Sequence, residues 1–129
     1  MYYSNYTITV RRRNGLMDQE TANELCTLFR DELDFCFDGV DDCEAQWYSE
    51  DETTWHSEEE DMRAISSDHP DLIFEVHRKG EDWDDVEDVY YCNGLQEEVF
   101  WIIRPGDATG IGRIFRNWEQ PKKFEEELL

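Results

Sequence analysis

Sixteen residues from Trp47 to Met62, WYSEDETTWHSEEEDM, hold seven carboxylates and two tryptophans and no lysine or arginine. Carboxylates at this density can chelate a hard cation, move protons beside a nucleophile, or present a field of negative charge to a basic partner. The first use has its best case at Asp38, Asp41, Asp42 and Glu44. The spacing D-G-V-D-D-C-E nevertheless lacks the alternating oxygen ligands and distal Glu of an EF-hand loop, so no metal is expected. The second use needs a nucleophile or a metal at defined geometry. His56, His69 and His77 are scattered, nothing in the sequence fixes such a centre, and no enzyme is expected. GDATGIG, residues 106–112, is glycine-rich but lacks the Lys-Ser/Thr of a phosphate loop. No cofactor is expected.

The third use fits the charge distribution. The net charge is −21 over 129 residues. Fourteen acids and no Lys or Arg lie between Asp31 and Asp61, and eight acids and no Lys or Arg between Gly80 and Ile103. These two blocks hold 22 of the 33 acids, and the rest of the chain is close to neutral. A domain of this length is about 35 Å wide, and duplex DNA of that length carries roughly twenty phosphate charges. The acids therefore match in number what a protein would need to imitate a nucleic-acid surface. The residues expected to meet a basic partner are Asp41, Asp42, Glu44, Glu50, Asp51, Glu52, Glu58, Glu59, Glu60, Asp82, Asp84, Asp85, Glu87 and Asp88. Trp55 and Trp83 are expected beside them as exposed anchors, since aromatics amid acids suit stacking against arginine. Trp47 is expected to anchor its loop to the core. A solvated, solubility-promoting face is the plain alternative. Direct binding to nucleic acid or an anionic membrane is not expected of a chain with a pI near 4.2.

Elements must position these residues. In YTITVRR, Tyr6, Ile8 and Val10 alternate with polar positions, which is the period of a half-buried strand. Asp18 is placed to cap a helix carrying Ala22, Leu25, Cys26, Phe29 and Leu33 on one stripe, expected to end near Phe37. EAQWYS reads as a short strand. Ser57 and Glu60 have capping-box spacing and open a helix through Met62 and Ile65 that Pro70 stops. DLIFEVHRKG reads as a strand with Leu72, Phe74 and Val76 on one face. Asn93-Gly94 between two apolar runs predicts a hairpin. The continuous run Val99 to Ile103 is expected to be a central strand covered on both faces. RIFRNW is expected to pack back on the body, and residues 120–129 to form a flexible tail after a single domain of residues 1–119.

Aromatics make up 14% of the chain, enough core formers for one globular domain despite the charge. The start, MYYSNYTITVRRR, has no apolar stretch of signal-peptide type, and no run approaches membrane-spanning length. Cys26, Cys36, Cys43 and Cys92 form no CxxC pair. An intracellular, reduced protein is expected, with a Cys36–Cys43 disulfide as the alternative.

These elements predict an α+β, ferredoxin-like fold, a mostly antiparallel sheet with two helices on one face. The stretch EEDMRAISSDHPDLIFEVHRKGEDWDDVEDVYYCNG, Glu59 to Gly94, resembles the YubB-type ferredoxin-like domain of phage, plasmid and mobile-element proteins. The shared features are the acidic helix start at Asp61 and Met62, the SSDHPDLIFEV turn into a strand, the GED turn and the YYCNG hairpin. The acidic insert between Asp38 and Glu60 departs from that pattern. The resemblance implies a mobile-element origin and action in the cytoplasm of a bacterial host. Combined with the acidic blocks, it leads to the expectation of an anti-defence protein, anti-CRISPR-like, occupying the basic nucleic-acid channel of a CRISPR effector or other defence nuclease. The alternative is an acidic protein-interaction module without inhibitory activity.

Overall fold

The structure is a computed structural model and describes residues 3–82, 85–100, 102–104 and 113–115, with side chains through Gln96. Its elements are β1 (Asn5–Arg12), α1 (Gln19–Cys26), a π-helical turn (Thr27–Glu32), β2 (Phe35–Val40), β3 (Ala45–Ser49), α2 (Glu58–Asp68), β4 (Leu72–Lys79), β5 (Val86–Cys92), β6 (Leu95–Phe100), β7 (Ile102–Arg104) and β8 (Arg113–Phe115). The fold is α+β. Six strands form one sheet in the order β2-β3-β1-β4-β5-β6 with every neighbouring pair antiparallel. The crossover from β1 to β2 through α1 skips over β3, and the one from β3 to β4 through α2 skips over β1.

Alternation in β1 sets the register of the centre. Ile8 lies between Trp47 of β3 and Val76 of β4, and Val10 between Ala45 and Phe74, all on the face that the helices cover. Ala22, Leu25 and Phe29 from the first helical segment and Met62 from α2 complete that core. Burying a large apolar side chain stabilises by about 1.5–3 kcal/mol, so the helices are held on the sheet mainly by this face. Asp18 caps α1 as the sequence predicts, its carboxylate accepting from the Thr21 amide at 2.7 Å. That bond, with the Thr21 hydroxyl and Arg12, holds the Asp18 carboxyl below its ordinary range. Arg12 also reaches Asp71 at 2.7 Å, so one guanidinium ties the end of β1 to the start of α1 and the turn before β4.

Four expectations are corrected. The first helix does not run to Phe37: it loosens into a π-helical turn after Cys26, and Asp34 takes a left-handed φ of 64° that ends it. Phe35 and Phe37 then alternate into an additional strand, β2, because their rings find Trp55 and Trp47 in the core. The capping box of α2 does not form, since the Ser57 hydroxyl donates to Asp61 at 2.7 Å and makes no capping bond. The run Val99 to Ile103 is not one central strand. It divides between β6, last in the six-strand order, and β7, which pairs with β8 in a separate two-stranded sheet. Its coverage on two faces, the loop 105–112 and the tail 120–129 lie outside the described residues.

The hairpin holds as predicted. Asn93 and Gly94 have φ of 49° and 81°, the left-handed pair that a tight two-residue turn of the twisted type requires. The turn is stitched to α2, with the Gly94 amide donating to the Ser66 hydroxyl at 3.0 Å and Arg63 donating to the Gly94 carbonyl at 2.8 Å.

Candidate acidic interface

Part of the first acidic block is gathered at one end of the sheet. The left-handed turn at Asp34 throws its carboxylate outward as the chain enters β2. On the neighbouring strand, β3 ends at Ser49, whose hydroxyl accepts the Tyr6 amide at 2.9 Å. The following Glu50, Asp51 and Glu52 form an exposed loop pinned beyond its far side by two backbone bonds between Thr53 and Ser4, at 2.7 and 2.8 Å. Between these segments lies a depression of about 350 Å³ lined by Leu33, Asp34, Phe35 and residues 49–53. A second, of about 260 Å³, lies between the π-helical turn and α2 and shares Leu33 with the first. Asp34, Glu50, Asp51 and Glu52 line the first, Glu32, Glu60 and Asp61 line the second, and no lysine or arginine lines either.

Asp41, Asp42 and Glu44 lie at the other end of β2. A depression of about 250 Å³ there is lined by Asp38, Asp41 and Glu44 with Gly39, Val40 and Gln46. The Asp41 carboxylate accepts from the Glu44 and Cys43 amides at 2.9 and 2.7 Å, which holds its carboxyl below the ordinary range. Asp41 therefore shapes the turn while keeping its charge. Among the described residues no group of three or more His, Cys, Asp or Glu is arranged to hold a metal ion. The four cysteines are free thiols.

Among the described residues, Asp85, Glu87 and Asp88 of the second block do not line these depressions. Strand register sets β5 beside β4, where Arg78 binds Asp85 at 2.6 and 3.0 Å and Glu87 at 3.3 Å, and where Asp88 meets the His77 ring at 2.7 Å. Asp85 first and Glu87 after it push the Arg78 guanidinium pKa up. Asp88 is only 1% exposed. Asp88 is thus corrected from a partner-facing acid to a buried one, while Asp85 and Glu87 keep partly exposed side chains paired with Arg78. Asp82 is exposed on the turn between β4 and β5, while Trp83 and Asp84 lie outside the described residues.

Two residues of the first block are also turned inward. Glu58 accepts the Tyr91 hydroxyl at 2.6 Å, and burial with this carboxylate pushes the Tyr91 phenol pKa strongly up. Trp55 is no exposed anchor. Its ring packs on Tyr6 and Phe35 at centroid distances of 5.6 and 5.3 Å, and its Nε1 donates to Asp61 at 2.8 Å. Trp47 is fully buried between Phe29 and Phe37, as the sequence predicts. Glu59 and Glu60 remain exposed on α2, Glu59 paired with Arg63 at 3.3 Å. Glu32 and Asp34 sit inside the acidic block but gain their places from the π-helical turn and the left-handed residue after it, which residue periodicity does not reveal, and Asp61 gains its place from α2.

Among the described residues no helix is long and apolar enough to cross a membrane. The chain belongs to the class of α+β proteins with an all-antiparallel six-stranded sheet, here carrying an acid-lined cleft at one sheet end. Comparison with protein-family models, curated proteins and solved structures gives no significant match.

Proposed function

We propose that this chain is a binding protein and not an enzyme, and that its acid-lined cleft occupies a basic nucleic-acid-binding site on a partner. The observation that carries the reading is the pair of depressions that share Leu33, whose linings hold seven carboxylates and no lysine or arginine. Asp and Glu there stand in for phosphates, accepting charge-assisted hydrogen bonds from Arg and Lys and displacing the counterions a nucleic acid would displace. Pinned loop ends support the reading, since a preordered row of charge loses less freedom on binding than a flexible acidic tail. The partner class is a defence nuclease of a bacterial host, a CRISPR effector among them, met by a phage or mobile-element protein acting in the cytoplasm. The order β2-β3-β1-β4, with each crossover skipping one strand, supports a ferredoxin-like unit extended by β5 and β6.

Capture of partners on the immobilised protein from bacterial lysate, at low and high salt and with excess duplex DNA as competitor, tests this. Retention of a nuclease that both salt and DNA displace is the expected result. Retention that DNA leaves untouched refutes mimicry and favours the second reading, an acidic interaction module that inhibits nothing. The edge of β2, which among the described residues pairs with β3 alone, is the observation that favours that module.

A further inference from the structure

β2 ends the six-strand order, and among the described residues its backbone pairs with β3 alone. An edge strand presents a row of unpaired amides and carbonyls, and natural sheets blunt such edges with lysine, proline, inward charge or a bulge. Neither β2 nor the turn after it contains a lysine, arginine or proline. Among the described residues the blunting comes from the bulge between Phe37 and Gly39, where Gly39 takes a φ of 128°, and from the exposed Asp38 carboxylate at that bulge. At its start the strand opens on the depression of about 350 Å³ walled by Asp34 and Glu50–Glu52, and at its end on the depression of about 250 Å³ walled by Asp38, Asp41 and Glu44. At about 3.3 Å per residue the two lie about 17 Å apart along the strand, the span of six extended residues.

We infer that β2 is a docking edge for an extended segment of a basic protein, which adds as a seventh strand and sets an arginine or lysine over each depression. The inference rests on the reading that the acidic rim receives a basic partner, and it supplies the mode of docking. In strand addition the backbone bonds give affinity and the flanking pockets choose the sequence. Charge selects this occupant over a second copy of the chain. Two β2 edges laid together would bring the acids around each into opposition, and like charges facing across strands are destabilising.

The test titrates the 15N-labelled protein with the capped peptide Arg-Thr-Val-Thr-Val-Arg. One control peptide has Asp at both ends, and another carries N-methyl groups on alternate backbone amides. The largest amide shifts and the greatest slowing of exchange are expected over Phe35–Val40. The N-methylated peptide should bind at least tenfold more weakly, and the Asp-ended peptide should not bind measurably. Equal affinity of the N-methylated peptide, shifts centred on α2, or self-association through β2 would each overturn the inference. Its failure is separable from that of the proposed function. A DNA-displaceable partner captured without peptide addition at β2 overturns only the docking mode. Peptide addition at β2, with a captured partner that ignores DNA, supports the docking mode and refutes mimicry.

Discussion

A depression lined by four carboxylates and no base strains the fold that carries it, and the strain can be measured without knowing the partner. The variant Asp34→Asn, Glu50→Gln, Asp51→Asn, Glu52→Gln empties the larger depression of charge. It spares Asp61, which holds Trp55 and Ser57, and asparagine tolerates the left-handed backbone at position 34. A cavity of about 350 Å³ is about 9 Å across as a sphere, so about 10 Å is a fair mean spacing for the ring. At that spacing a pair of like charges in water repels by about 0.4 kcal/mol, and screening at 20 mM salt, where the Debye length is about 20 Å, reduces this to about 0.25. The four charges make about six such pairs, so roughly 1.5 kcal/mol of repulsion is removed. The unfolded chain keeps part of it, leaving a gain of about 1 kcal/mol, or about 3 °C in Tm for a domain of this size. Thermal melting followed by circular dichroism at 20 mM and 1 M NaCl reads this directly. The variant should melt higher at low salt, and the difference should vanish at 1 M, where the screening length falls to about 3 Å. A variant that melts at or below the wild type at low salt would refute the reasoning, since the carboxylates would then be making stabilising contacts.

Three further outcomes follow from the packing. Trp47→Phe should cost under about 1.5 kcal/mol in urea unfolding, against 3–5 for a typical aromatic-to-alanine change, because the buried Nε1 has no hydrogen-bond partner among the described residues and its loss relieves a desolvation cost. Gly94→Ala should destabilise by about 1–2 kcal/mol, measured the same way. A Cβ at Gly94 would sit in left-handed backbone, 2.6 Å from the Ser67 hydroxyl, which can rotate away and leaves the backbone as the main cost. The raised Tyr91 phenol makes stability fall in alkali. The folded protein keeps the proton that the unfolded chain releases above about pH 10, so this contribution is intact below pH 10 and is lost at about 1.4 kcal/mol per pH unit above it. Tyr91→Phe should flatten that slope in pH-dependent unfolding.

Elements with a clean period were legible in the sequence: β1 from Tyr6, Ile8 and Val10, β4 from Leu72, Phe74 and Val76, and the hairpin from Asn93-Gly94. β2 was not, because Phe35, Cys36 and Phe37 sit among acids and directly extend a helical stripe that ends at Leu33. Only the left-handed turn at Asp34 separates the two readings, and aspartate is one of the few residues that visits it. The acidic composition of the site was equally plain, whereas its sorting into engaged and displayed acids was not. That sorting depends on strand register, which places Arg78 beside Glu87 and His77 beside Asp88, while no lysine or arginine lines the depressions at Leu33.

Register also explains why the cleft stays anionic. β1 and β3 are antiparallel, with Val10 beside Ala45 and Thr7 beside Tyr48. The Arg11–Arg13 end of β1 therefore lies toward the Asp41–Glu44 turn, and its Ser4 end toward Thr53 and the cleft. A base that approaches the cleft end is Arg78, which stands beside Tyr6 in the register and donates to the Ser4 hydroxyl at 3.1 Å. Asp85 and Glu87 pair with that guanidinium where it stands and compensate its charge. On this argument Asp85 and Glu87 serve the first block by occupying a cation. The double variant Asp85→Asn, Glu87→Gln should leave the Arg78 charge uncompensated beside Ser4 and weaken capture of a basic partner by several fold, a loss that adding Arg78→Gln restores. Binding unchanged by the double variant, or a loss that the third substitution leaves in place, would show that Asp85 and Glu87 contribute in another way.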